Sequence, residues 1–178
     1  IHGPKGVGML YMRKGTRLHP IISGGGHERK LRSGTVNVPG IAGFGLAASM
    51  KIERMEEDSK ICSKVRQLLL DNLEKSLGLS LRVNSPINGV DSILNISLKG
   101  VQSETILHFL EMKEIYVSSG SACHSRKNAV SHVLKSIGLP PEWAKGAIRF
   151  SFSGDNTEEE AKICSNAIVE IMGTVQKR

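Results

Sequence analysis

The sequence predicts a mixed α/β chain, and three observations carry that expectation. Apolar residues recur at helical spacing over a long stretch from Pro39 to Leu77. Short segments, 92–98 (SILNISL) and 147–153 (AIRFSFS), run or alternate as strands do. A capped helical pattern follows Asn-Thr-Glu-Glu-Glu at 156–160. With 178 residues the chain has the length for one domain, or for one domain and part of another.

Taken in order, Gly6–Met12 (GVGMLYM) is a glycine-led apolar run that suits a buried strand. A basic turn follows, then residues 18–35, where seven of eighteen are Gly, Ser or Thr, so a loop is expected. The long helix begins near Pro39, whose missing N–H costs nothing in a first turn. Ile41, Phe44, Ala47 and Ala48 mark one face; Ile61, Val65, Leu68, Leu69, Leu73 and Leu77 mark another. The charged stretch 51–60 joins them, Gly78 stops the run, and a domain junction is placed within it: 1–52 and 53–178. The remainder reads as an α+β unit. Segments 81–85 and 92–98 are strands, Ser103 caps a helix through Leu107, Leu110 and Met112, and 115–119 (IYVSS) is a strand. A short helix at 133–139 ends at Gly138 and two prolines, and 147–153 is a strand with one face buried. In the last helix, Thr157 and Glu160 form a capping box, and three carboxylates favour its positive end.

Composition narrows the function classes. Apolar content of 39% and charged content of 23% are those of a globular protein, and no apolar run approaches the ~20 residues of a membrane helix. The net charge is +7, but basic residues are scattered apart from His27–Arg32, and aromatics are only 4%. Stacking platforms are therefore scarce and nucleic-acid binding is not expected; a surface attracting an acidic protein or a small anion is simpler. The six histidines show no HxxxH or His–Cys pairing on one face, so no metal site is expected, and His108 reads as a satisfied helix histidine. Cys62, Cys123 and Cys164 are widely spaced and odd in number, against a disulfide framework or zinc site and for a reducing cytosol or organelle matrix.

The cysteines differ. Cys164 shares an apolar stripe with Ala161, Ile168, Ile171 and Val175 and reads as core. Cys62 sits on a helix flank, structural or superficial. Cys123, in SSGSACHS (118–125), has no periodic apolar partner, follows small residues and precedes His124, Arg126 and Lys127. Cations and access favour a thiolate, yet composition alone leaves reactive and inert open. Likewise 23–35 (SGGGHERKLRSGT) can hold a phosphate or be a surface loop; it matches neither the P-loop nor the GxGxxG pattern.

Four blocks in series then carry a resemblance: IHGPKGVGMLYMRKG (1–15), GGGHERKLRSGTVNVPGIAGFGLA (24–47), SSGSACHS (118–125) and AIRFSFSGDNTEEE (147–160). In that order they resemble the pyridoxal-phosphate (PLP) cysteine desulfurases of the NifS/IscS type, over essentially the whole chain. The resemblance implies the C-terminal part of the type I PLP-dependent transferase fold: residues 1–52 the last portion of the large cofactor domain, residues 53–178 the small domain, in a homodimer. It implies that Cys123 is the nucleophile that takes sulfur from L-cysteine, leaving L-alanine and a persulfide. Arg149 would hold the substrate carboxylate, for which a planar guanidinium is suited. Thr35 would reach the cofactor phosphate of the other subunit, and His27, Arg29 and Arg32 would line the site entrance. The client would be a sulfur acceptor such as an iron–sulfur scaffold protein.

Two departures stand out. In the family the Schiff-base lysine lies just upstream of the position of Ile1, and Lys5 is no substitute, so this chain alone is expected to be inactive and to depend on the N-terminal segment of the same enzyme. The residues after Cys123 are also more basic than the family's Thr/Ser/Ala-rich loop. Alternatives are a stand-alone partner-binding or sulfur-accepting module and a selenocysteine lyase; an aminotransferase would need no loop nucleophile, and Cys123 speaks against one.

Overall fold

The computed structural model describes residues 1–119 and 131–175. The chain divides into two compact units, Ile1–Met55 and Glu56–Arg178, and the boundary falls inside the long helix α1 (Val38–Leu77).

In the first unit, helix α1 starts where Asn37 offers both of its oxygens. The Asn37 side-chain oxygen accepts the Gly40 N–H at 3.1 Å, and its carbonyl accepts the Ile41 N–H at 2.9 Å. The Asn37 amide leaves no room for a Cβ at Gly40. The start of the chain lies against this helix, with Gly3 beside Phe44 and Ala47 and Pro4 over Gly43. The strand expected at Gly6–Met12 is absent: Met9, Leu10 and Tyr11 are 76%, 77% and 79% exposed and no ladder forms. A strand exists only by pairing, and this unit has no other strand among its described residues. Residues 18–35 are irregular apart from a single 3₁₀ turn at Glu28–Lys30, as the composition suggests.

The second unit is the α/β part. Four strands, β1 (Leu81–Val83), β2 (Ile93–Leu98), β3 (Ser118–Ser119) and β4 (Ala147–Ser151), form an antiparallel sheet in the order β1-β2-β4-β3. Its helices are the end of α1, α2 (Ser103–Glu111), α3 (His132–Ser136), α4 (Pro141–Ala144) and α5 (Glu158–Val175). Period-2 alternation sends Leu94, Ile96 and Leu98 of β2 and Ile148 and Phe150 of β4 to one face. There they share one core with Leu69 and Leu73 of α1, Ile106 of α2 and Ile168 of α5. Each such fully buried chain contributes about 1.5–3 kcal/mol.

Several elements differ from expectation. Ser103 is the first helical residue, not the cap: its N–H is taken by the Lys145 carbonyl at 2.8 Å, so a tertiary partner satisfies one of the donors the helix start leaves open. The strand read over 115–119 forms its ladder only at Ser118–Ser119. Ile115 and Val117 pack on the core without a partner strand, and Tyr116 stays exposed. Met112 is the exposed C-cap of α2 and not a core residue. Helix α4, with Pro141 in its first turn, was hidden behind the two prolines. Cys62 is buried, which favours the structural of its two readings. The capping box of α5 forms: the Thr157 N–H donates to Glu160 Oε2 at 2.8 Å, and the Glu160 N–H to Thr157 Oγ1 at 3.2 Å.

Candidate active site

The open face of the sheet is polar, and β4 explains why. Ile148 and Phe150 point into the core, so Arg149 and Ser151 must point out. Arg149 is exposed and sits in register between two polar residues, Asn95 of β2 on one side and Ser118 of β3 on the other. Ser97, opposite Ala147, lies on the same face. Asn84, just past β1, donates through Nδ2 to Asn95 Oδ1 and to Ser97 Oγ, each at 2.8 Å. A row of polar groups thus crosses the sheet around one guanidinium. The strand that delivers Ser118 and Ser119 is the one that leads toward Cys123. Cys123 itself, with His124, Arg126 and Lys127, lies outside the described residues.

The other candidates share the loop of the first unit. His27, Arg29, Arg32 and Thr35 are all exposed. Ser33 is buried, and its hydroxyl donates to the Gly25 carbonyl at 2.8 Å, closing the loop on itself. The Arg32 guanidinium donates to the Ser33 carbonyl at 3.0 Å. Glu28, Arg29 and Lys30 have φ of 49°, 55° and 69°, three successive side chains in the left-handed region, at a cost of roughly 1–2 kcal/mol each. Such strain persists only where surrounding structure imposes it.

The remaining nucleophiles are inert. Cys164 is buried, and burial pushes its thiol up to about 12. His108 pairs with Glu111 on the exposed side of α2 at 3.2 Å. Among the described residues no group of three or more His, Cys, Asp or Glu converges, and no helix is long and apolar enough to cross a membrane.

Residues 1–163 match the family described as aminotransferase class-V. The chain belongs to the class-V aminotransferase family. Its relatives within that family are named for sulfur chemistry. A cysteine desulfurase of Sinorhizobium fredii is 42% identical over 159 residues, covering 89% of this chain and 41% of the relative. The cysteine desulfurase IscS of Methanosarcina thermophila is 38% identical over 170 residues, covering 96% of this chain and 42% of the relative. Among solved structures, a NifS-like protein superposes with a TM-score of 0.85 at 37% identity, over 97% of this chain and 44% of that one. The chain therefore spans about two-fifths of the length of the curated relatives it matches. The fold is accordingly that of the NifS-like type I PLP enzymes.

PLP is the cofactor of this class-V branch. The chemistry of the first-unit loop fits its phosphate end: Ser33 is spent on Gly25, whereas Thr35 presents an exposed hydroxyl among basic neighbours. Sequence reasoning singled out Arg149 but passed over Asn95 and Asn84. Alternation in SILNISL places Asn95 and Ser97 opposite Leu94 and Ile96, a signal that was present; what they stand beside depends on register.

Proposed function

We propose that this chain is the sulfur-accepting part of a PLP-dependent cysteine desulfurase. The observation that carries the reading is the Ser118–Arg149 register pair. It sets the strand leading to the SSGSAC segment against the one exposed arginine of β4. Cys123 is the fourth residue after Ser119 in sequence, and four residues at full extension span no more than about 14 Å. The names of the relatives support the same reaction.

In this reading Arg149 binds the carboxylate of L-cysteine through two parallel N–H···O bonds. Bound PLP supplies the electron sink that makes the substrate's carbon–sulfur bond breakable. The Cys123 thiolate takes the substrate sulfur. An S–S bond forms as the C–S bond breaks, the carbon side gains a proton and leaves as L-alanine, and Cys123 keeps the persulfide. Thiol plus cysteine becomes persulfide plus alanine, with no external oxidant. Thr35 donates to the cofactor phosphate across a homodimer, and His27, Arg29 and Arg32 line the entrance on a strained loop. Residues 1–52 belong to the large cofactor domain, an assignment supported by the exposure of Met9, Leu10 and Tyr11, which further chain of that domain would cover. Residues 53–178 are the small domain. The N-terminal segment of the same enzyme supplies the Schiff-base lysine. The persulfide passes to an acceptor such as an iron–sulfur scaffold protein, in a reducing cytosol or organelle matrix, where a thiol like Cys164 persists.

The deciding experiment is peptide mass spectrometry of the full-length protein after exposure to L-cysteine. The expected result is one extra, dithiothreitol-labile sulfur on the Cys123 peptide, lost in Cys123→Ala although PLP still binds. Sulfur transfer that survives in Cys123→Ala would refute the assignment.

A further inference from the structure

We propose that Asn95 is a second donor of the substrate-carboxylate site, set beside Arg149 and aimed by Asn84. The inference rests on the reading of Arg149 as the carboxylate anchor. The Leu98 N–H donates to the Gly146 carbonyl at 3.1 Å, and the Phe152 N–H to the Ser92 carbonyl at 2.8 Å. In an antiparallel ladder those bonds put the hydrogen-bonded pairs at the even-numbered positions of β2. Asn95–Arg149 is therefore a non-hydrogen-bonded pair, the kind whose Cα atoms approach to about 4.5 Å and whose side chains lie closest.

Asn95 is held from the β1 side at every polar atom but one. Its N–H donates to Ser85 Oγ at 2.8 Å. Its carbonyl accepts the N–H groups of Asn84 at 2.9 Å and Ser85 at 3.2 Å. Its Oδ1 accepts Asn84 Nδ2, and Asn84 is clamped in turn by Ser97. Asn84 Oδ1 is left buried without a partner. What remains is the Asn95 amino group, Nδ2, half-buried and bonded to no described residue.

Two donors side by side cannot satisfy each other. A guanidinium and an amide N–H₂ on one face both require an acceptor, and a carboxylate, with two oxygens and about four lone-pair sites, can serve both. The pair also selects: an amine lacking the carboxylate gains nothing from it.

The test uses the full-length, PLP-loaded protein with three variants, Asn95→Ala, Asn95→Asp and Arg149→Ala. Far-UV circular dichroism checks the fold of each. The readouts are KM and kcat for L-cysteine, the calorimetric Kd of L-alanine, and inhibition by cysteamine, which lacks a carboxylate. Asn95→Ala should raise KM and the L-alanine Kd roughly tenfold, with kcat changed by less than about twofold and cysteamine unaffected. Asn95→Asp keeps an oxygen for Asn84 to grip but sets a negative charge opposite Arg149. It should weaken L-alanine binding further than Asn95→Ala does. Equal or milder loss in Asn95→Asp, or equal loss of cysteamine binding, overturns the proposal. If Arg149→Ala weakens L-alanine binding and neither Asn95 variant does, this inference alone falls. If Arg149→Ala leaves L-alanine binding unchanged, the carboxylate reading falls with it.

Discussion

The two thiols among the described residues are both buried, and their chemistry follows from that burial. Cys164 lies in the interior of the second unit, where desolvation disfavours its anion and drives its pKa to about 12. Cys62 is buried as well. At pH 8, native-state iodoacetamide should therefore leave both unmodified for as long as the protein stays folded, and label them once urea exposes them. Peptide mapping checks this, and rapid native labelling of Cys164 would contradict the burial. Of the residues nominated from sequence, Cys164 was legible because helical spacing alone places it on an apolar stripe. Arg149 was legible as an outward position because its neighbours alternate. Asn95 was not, since nothing local marks an asparagine as the neighbour of an arginine more than fifty residues away.

At the scale of the element, helix α5 shows how much local chemistry can decide. The Thr157 backbone and the Asn156 amide hold the Glu160 carboxyl below its ordinary value of 4.5. Because the folded value is the lower one, the stability contributed is present above pH 4.5 and is lost as pH falls through the folded value. Thr157→Ala should cost about 1 kcal/mol at pH 7, read from the urea midpoint. Equal stability of the two proteins at pH 7 would show that the box is ornamental. Glu158, also held low by Lys64 at 2.6 Å, is a fully exposed ion pair, so little stability rests on it. By contrast α2 borrows its first hydrogen bond from Lys145, and within 115–119 the ladder is confined to Ser118 and Ser119, the residues of that stretch that meet β4. Neither outcome is written in the local sequence.

Across the whole molecule, burial is uneven. Every buried apolar residue among those described, from Cys62 to Met172, belongs to the second unit, while the first exposes Met9, Leu10, Tyr11, Leu18 and Ile21. The hydrophobic term that offsets chain entropy is thus concentrated in residues 56–178. A fragment of those residues should unfold cooperatively in urea, with a midpoint close to that of the full chain. A broad, non-cooperative transition would mean that residues 1–55 supply essential packing.

The sequence by itself determined the elements whose causes are local: the capped start of α5, the alternation that turns Arg149 outward, the long helix ended by Gly78, and the four blocks that mark the class-V family. Only the tertiary structure decided what depends on partners distant along the chain. Gly6–Met12 is no strand where nothing pairs with it, however apolar it is. Asn95, Arg149 and Ser118 form a row across three strands because the pairing of β2, β4 and β3 is set by the packing of the opposite face. A one-residue slip would have buried Arg149 and exposed Ile148, and the core does not permit it.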